Sequence, residues 1–296
     1  MTNKSEHGVM SVRQVKLPKA FPFLLAAACL LAAAGLPARA AAGELVFGVY
    51  PVVSASEIAA QYAPLREHLA RALDRPVSLR SAPDFERFID RTRLGEYDLI
   101  FTAPHMGRLA EKRDGYLPLA QTGYSIAIVV IARRDGPVRQ LADLRGHSLA
   151  VGARLSMSYQ LVDLALGEKG IEIGRDVRFV DTRNFSNVFE ALVRKEADAG
   201  ATGTLLWEKL PPEKRNVLRE VWRSKTIPGF LLLAHSRLGA ETLGRLRQAL
   251  HDFAATAAGK AYFAQSQQID FRPVDEATLR RIDPYTAVLT NPDPPR

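Results

Sequence analysis

The stretch RPVSLRSAPDFERFIDRTRLGEYDLIFTAP, residues 75–104, combines a strand pattern, an amphipathic helix pattern and a buried strand pattern. It aligns without a gap with RDVRFVDTRNFSNVFEALVRKEADAGATGT, residues 175–204, at an offset of 100. The six identical pairs are Arg75/Arg175, Val77/Val177, Phe85/Phe185, Glu96/Glu196, Asp98/Asp198 and Thr102/Thr202. Two unrelated strand–helix–strand units can also share this much by chance. We expect two lobes, each built around one such unit.

The rest of the chain alternates strand and helix patterns in the same way. Further strands are predicted over 44–50, 116–121, 126–132, 147–151 and 230–234. Further helices are predicted after a capping box at 54–57, over 184–195 with Asn184 as cap, and over 240–257 and 276–289. One more is predicted to begin at RLSMSYQ (154–160) and to end at Gly170, with Leu161, Leu164 and Leu166 as its core face. This order predicts an α/β protein of two lobes, each a mostly parallel sheet flanked by helices.

Two crossings between the lobes are predicted, at Gly123 and at Pro228-Gly229, because glycine tolerates the backbone angles that a hinge needs. Lobe 1 would comprise residues 41–123 plus 230–296, and lobe 2 would comprise residues 124–229. A chain that crosses twice forms a clam with a two-strand hinge, rather than two domains on one linker.

Residues 1–40 have the pattern of a secretory signal peptide. Basic residues such as Lys16 and Lys19 precede an apolar run over 21–34, and Ala38-Arg39-Ala40 is a small-x-small cleavage site. The apolar run is shorter than the roughly 20 residues of a spanning helix. It also continues five residues past Cys29, so we do not expect a lipid anchor there. The chain is expected to be exported and cleaved near Ala40.

The composition of residues 41–296 narrows the function classes. Cys29 is the only cysteine of the sequence, so after cleavage a hydrophobic core rather than disulfides must stabilise the fold. Thirty-five basic and thirty-one acidic residues remain, a net charge of +4 without a dense basic block. A nucleic-acid partner is therefore not indicated, and a mildly positive field suits an anionic ligand.

Polar side chains follow five of the predicted strands, where ligands bind in open α/β sheets. These candidate ligand-binding residues are Tyr50, Thr102, His105, Ser156, Ser158, Tyr159, Arg183, Asn184, Thr202 and Thr204. The densest group is RLSMSYQ, residues 154–160, where a helix should begin. A helix start binds anions through free backbone N–H groups, and nearby hydroxyls can add donors. The alternative is that Ser156 only caps the helix, and that Arg183 only forms a surface ion pair.

Catalysis has little support in the sequence. It contains none of the G-x-S-x-G, S-x-x-K or H-E-x-x-H motifs, and its histidines do not have metal-ligand spacing. A secreted hydrolase using Ser156 or Ser158 stays open as an alternative, although no base is indicated for either serine. We expect a binding protein without catalytic residues, metal or cofactor.

The chain resembles the phosphate/phosphite/phosphonate-binding periplasmic protein family. The resemblance rests on LVFGVY (45–50), DLIF (98–101), LADLRG (141–146), SMS (156–158), ADAGA (197–201) and WRSKTIPG (222–229). It implies a type II periplasmic-binding-protein fold. It also implies that the protein is the periplasmic substrate-binding component of an ABC importer, closing on a small oxyanion such as a phosphonate or phosphate.

The ligand residues of that family are matched only in part. Its Ser-Thr-Ser signature is Ser156-Met157-Ser158 here, Phe185 stands in place of a histidine, and Thr102 in place of an aromatic residue. Phe230 takes the place of an acidic residue. These differences leave the identity of the oxyanion open, because buried polar groups set selectivity.

The resemblance implies a membrane permease as partner and a monomeric chain. A ligand-sensing module that acts on a membrane sensor kinase remains an alternative, because the same clam serves both purposes.

Overall fold

The computed structural model describes residues 43–182, 185–266, 268–286 and 289, and the elements named below lie in these ranges. The strands are β1 (Leu45–Val49), β2 (Val77–Arg80), β3 (Leu99–Thr102), β4 (Tyr116–Thr122), β5 (Ile128–Arg133), β6 (Ser148–Val151), β7 (Arg178–Asp181), β8 (Ala199–Gly203), β9 (Leu218–Arg223), β10 (Leu231–His235) and β11 (Phe271–Arg272). The α-helices are α1 (Ala55–Leu73), α2 (Phe85–Arg93), α3 (Pro104–Arg113), α4 (Met157–Gly167), α5 (Ser186–Val193), α6 (Thr204–Glu208), α7 (Pro212–Arg215), α8 (Gly239–Phe253), α9 (Ala257–Ser266) and α10 (Glu276–Arg280).

The strands form two mixed sheets with the same internal order. One sheet has the order β2-β1-β3-β10-β4-β11, and the other has the order β7-β6-β8-β5-β9. In each, three neighbouring strands are parallel, and β10 or β5 runs antiparallel beside them. This confirms the predicted α/β class. Each sheet is mixed because the strands that enter and leave the crossings pair antiparallel.

Residues at equivalent positions of the two repeated units have the same structural role. The carboxylate of Asp98 accepts a hydrogen bond from Val46 N at 2.8 Å, and that of Asp198 accepts one from Ser148 N at 2.9 Å. Both aspartates therefore satisfy a backbone donor near the start of β1 or β6, one residue before the pairing with β3 or β8 begins. After α2 and α5 the chain turns through a left-handed residue in both units, Gly95 with φ 68° and Lys195 with φ 60°.

Both sheets are buried between helices. The strands β3 and β6 are buried at every residue, which is typical of parallel strands that helices cover on both faces. Helix α1 begins at the predicted capping box, where Ser54 and Glu57 cap each other's backbone. Its buried face packs against α8 and α9.

The chain passes twice between the sheets. The outgoing segment links β4 to β5, the returning segment links β9 to β10, and Ile126 and Ile227 form an antiparallel bridge between them. Thr122 N donates to Phe230 O at 2.9 Å. A Cβ atom at Gly229 would lie 2.4–2.5 Å from three oxygen atoms, so only glycine allows this approach. The lobe limits at 123/124 and 229/230 remain a prediction.

Several elements were not predicted from the sequence. Helices α3 and α6, strand β9 and helix α9 were missed, and α3 and α6 matter most because they begin directly after β3 and β8. The helix α4 begins at Met157, within the stretch 154–160 where its start was predicted, but Leu164 is 56% exposed rather than in its core face. Leu166 is buried as predicted, and Val162 is buried beside it.

The predicted signal peptide, including Cys29 and Ala40, lies outside the described residues. None of the described helices is long and apolar enough to cross a membrane.

Candidate functional site

A cavity of about 920 Å³, counted together with the solvent at its mouth, is lined by residues of both predicted lobes. Much of its lining comes from the segments 50–53, 103–106, 156–158 and 203–206. These segments lie at the carboxyl ends of β1, β3, β6 and β8. This is the edge at which open α/β sheets bind ligands.

Two helices of ordinary length, α3 and α4, begin at this cavity. No side chain among the described residues caps α3, and Pro104 at its first position has no N–H to satisfy. The N–H groups of His105 and Met106 in α3, and of Met157 and Ser158 in α4, have no intrahelical carbonyl partner because they belong to first turns. All four residues line the cavity, so two positive helix ends face it, one after a strand of each sheet.

A third helix start, that of α6, also reaches the cavity. Thr204 N is already bound to Ala127 O at 2.9 Å, and the helix has five residues. Leu205 and Leu206 line the cavity. A helix of one turn has only a small dipole. Helix α6 therefore adds side chains and N–H groups to the cavity wall but little electrostatic potential.

The charge of the cavity wall favours an anion. Lys209 is the only charged residue among the described lining residues, and no carboxylate is present among them. Burial lowers the pKa of Lys209, and its Nζ donates to Gln265 O at 2.7 Å. An anionic group therefore meets no repulsive carboxylate in the described wall.

The two serines at the start of α4, Ser156 and Ser158, differ in whether their hydroxyls are already hydrogen-bonded. Ser156 Oγ donates to Ala153 O at 2.7 Å and accepts from Tyr159 N at 3.2 Å, so it is the helix cap. Ser158 lines the cavity, is 2% exposed, and its hydroxyl makes no hydrogen bond to any residue in the described ranges. Ser158 is thus the serine with a donor to offer.

Two other predicted hydroxyls also line the cavity. Tyr50 is buried, and burial raises its pKa well above the usual value, so its hydroxyl stays neutral and can donate. Thr204 Oγ1 lies 2.7 Å from the hydroxyl of Tyr124, which occupies one of its hydrogen-bonding positions.

His105 links the first turn of α3 to the segment that precedes α4. Its Nε2 lies 2.9 Å from Leu155 O and must carry the proton, because a carbonyl only accepts. Burial lowers the pKa of His105 to about 4, and the Leu155 bond opposes this in part. The ring is therefore neutral near pH 7, and Nδ1 is an acceptor without a partner among the described residues.

Three predicted residues lie elsewhere. Thr102 and Thr202 are fully buried strand residues and do not line the cavity, although their neighbours Phe101, Ala103 and Gly203 do. Their hydroxyls have no hydrogen-bond partner in the described part of the chain. Tyr159 packs its ring edge-to-face on Phe179 in the core of lobe 2.

Arg183 and Asn184 lie outside the described residues, so their predicted place at the site stays a prediction.

The sequence did not predict an aromatic wall as a group, although Tyr50 was a candidate and Phe185 and Phe230 were noted at ligand positions of the resembled family. The members of this wall line the cavity and come from separate segments: Tyr50, Phe85, Phe101, Phe185 and Phe230. One signal was available, because Phe85 and Phe185 are an identical pair in the repeated unit, and their rings meet at 6.4 Å between centroids. Phe230 and Phe101 come together only through the pairing of β10 with β3.

No group of three or more His, Cys, Asp or Glu side chains within the described ranges is arranged to hold a metal ion.

Comparison with known proteins identifies relatives of the chain. The family model for "ABC transporter, phosphonate, periplasmic substrate-binding protein" matches residues 47–279. A phosphonates-binding periplasmic protein of Escherichia coli (strain K12) is 24% identical over 261 residues, which cover 82% of this chain and 76% of that protein.

Solved structures show the same fold. A binding protein component of an ABC phosphonate transporter from Pseudomonas aeruginosa has a TM-score of 0.75 at 22% identity, covering 85% of this chain and 90% of its own. PhnD1 from Prochlorococcus marinus, solved in complex with methylphosphonate, has a TM-score of 0.75 at 16% identity, covering 83% and 98%.

Proposed function

The chain belongs to the family of periplasmic substrate-binding proteins of ABC phosphonate transporters, and from this we propose that it captures a small oxyanion of the phosphonate type between its lobes. The bound protein would deliver its ligand to a membrane permease. We propose the periplasm as its location, after cleavage near Ala40, and a monomer as its working form. Mass spectrometry of the exported protein would locate the cleaved bond.

The observation that carries the proposal is the meeting of α3 and α4 at one cavity. Their first turns present the free N–H groups of His105, Met106, Met157 and Ser158 to the same space. A phosphonate oxygen accepts several such bonds at once, and charge-assisted bonds to fixed amides replace the water that the anion loses. The described wall offers no carboxylate to oppose this.

Contacts across the cavity are consistent with a closed clam. His105 Nε2 donates to Leu155 O at 2.9 Å, Lys209 Nζ donates to Gln265 O at 2.7 Å, and the rings of Phe85 and Phe185 touch. We propose that opening breaks these contacts and turns the lobes about the segments at Gly123 and Gly229.

We propose binding without turnover. Ser156 is occupied as a helix cap, and Ser158 has no acid or base side chain within hydrogen-bond distance among the described residues. Phosphoester hydrolysis by the purified protein that disappears in Ser158→Ala would contradict this.

The test of the binding function uses Ser158→Ala and isothermal titration with methylphosphonate. Loss of one buried hydroxyl bond to an anion costs about 2 kcal/mol, which is roughly thirtyfold in affinity. Ser56→Ala is the matched control, because Ser56 is also the second residue of a helix but is exposed and does not line the cavity.

We expect wild type and Ser56→Ala to bind alike. An unchanged affinity in Ser158→Ala would remove this hydroxyl from the site. Absence of binding by wild type to phosphonates, phosphate, sulfonates and carboxylates alike would refute the oxyanion function.

A further inference from the structure

The lining of the cavity also has a large apolar share. Besides the aromatic wall of Tyr50, Phe85, Phe101, Phe185 and Phe230, it includes the aliphatic side chains of Val52, Val53, Ile126 and Ile128. Donors for an anion and apolar surface thus share one lining. A ligand that uses both carries a charged head and a substituent without charge.

The aromatic wall is built as one packed group. Tyr50 contacts Phe85, Phe101 and Phe230 at centroid distances of 6.1, 6.4 and 5.6 Å, and Phe101 contacts Phe230 at 5.5 Å. Rings that support each other in this way keep their position when the ligand arrives. The apolar surface therefore needs little reordering on binding.

The wall has no counter-ion for a cationic substituent. The described lining residues include no Asp or Glu, and the charged residue among them, Lys209, repels an ammonium group. The helix starts of α3 and α4 add further positive potential. Aromatic faces attract cations, but here that attraction acts against a positive surrounding.

Resting on the function proposed above, we infer that the site selects oxyanions with an uncharged apolar substituent, such as alkyl- or arylphosphonates, over aminoalkyl ones. Each methylene buried on the wall should tighten binding about fourfold. An ammonium group loses its hydration there without a carboxylate to replace it.

The test is a titration series on the mature chain with methyl-, butyl-, phenyl- and 2-aminoethylphosphonate, and with phosphocholine. We expect phenylphosphonate to bind at least tenfold tighter than 2-aminoethylphosphonate, and butylphosphonate tighter than methylphosphonate. Equal or tighter binding of 2-aminoethylphosphonate overturns the inference while leaving the oxyanion function intact. Tightest binding of phosphocholine also overturns it, since the rings would then act as a cation cage.

If none of these compounds binds, including methylphosphonate, the proposed function fails and the inference fails with it.

A variant pair tests the wall itself. Phe230 is partly exposed, so Phe230→Glu places a carboxylate at the wall, and we expect it to reverse the order of phenyl- and 2-aminoethylphosphonate. Phe230→Leu keeps the wall apolar and should lower phenylphosphonate affinity several-fold with the preference retained. Thermal unfolding shows whether each variant is folded. A folded Phe230→Glu protein that keeps the wild-type order contradicts the assignment of this wall to the substituent.

Discussion

Replacing His105 by glutamine should make the protein less sensitive to acid. His105 is completely buried, its Nε2–H donates to Leu155 O, and its pKa is lowered from 6.5 to about 4 by burial. A glutamine amide can donate to the same carbonyl but does not titrate. His105→Gln therefore removes the proton equilibrium while keeping a donor at this position.

The magnitude follows from proton linkage. As the pH falls below 6.5 the unfolded chain binds a proton at His105, whereas the folded chain does not until about pH 4. The contribution of His105 to stability is thus present above pH 6.5 and is lost progressively down to pH 4. Between pH 7.5 and pH 5 the loss is about 2 kcal/mol.

The assay is urea unfolding followed by circular dichroism at pH 7.5 and pH 5.0. His235 shifts stability in the same direction, because burial and the Arg237 charge lower its pKa, so the wild-type change alone is not diagnostic. The difference between wild type and His105→Gln isolates the His105 contribution. His251→Gln is the control, because the side chain of His251 is 80% exposed.

We expect the pH-dependent loss to be about 2 kcal/mol smaller in His105→Gln than in wild type, and unchanged in His251→Gln. An equal loss in wild type and His105→Gln would refute a buried, neutral His105 bound across the lobes.

Two further predictions concern the fold. Gly229→Ala should destabilise the protein by roughly 1–3 kcal/mol, because the new Cβ would lie 2.4 Å from Thr122 Oγ1. Gly244→Ala, which has open space around its new Cβ, is the control and should raise the melting temperature slightly. Equal melting temperatures of the two variants would contradict the close contact inferred at Gly229. Asp198→Ala removes the acceptor of two hydrogen bonds, from the N–H and from the hydroxyl of Ser148. Urea unfolding should therefore show a free energy of unfolding lower by roughly 1–3 kcal/mol. A stability equal to that of wild type would contradict a structural role for the repeated aspartate.

The α/β class and the repeated strand–helix–strand unit could be predicted from the sequence because their causes are local. Apolar periodicity distinguishes strand from helix within ten residues, and Asp98 and Asp198 repeat because each binds the backbone of a neighbouring strand. Helix α3 was missed although Pro104 is a start signal, because the residues after the predicted strand were considered only as candidate ligand residues.

The make-up of the cavity depended on tertiary structure. Ser158 lines the cavity, Thr102 and Thr202 do not line it, and the hydroxyl of Ser156 forms the helix cap. These outcomes depend on register and capping contacts that composition does not reveal.

The sequence by itself therefore determined the class of fold, the two related units and the neighbourhood of the site, since each follows from residues close together in the chain. Only the tertiary structure decided the chemistry of the cavity, by bringing two helix starts from different lobes to one space and assembling rings as distant as Tyr50 and Phe230 into one wall. The physical reason is that contacts between distant segments arise from sheet pairing and lobe closure, which local patterns do not contain.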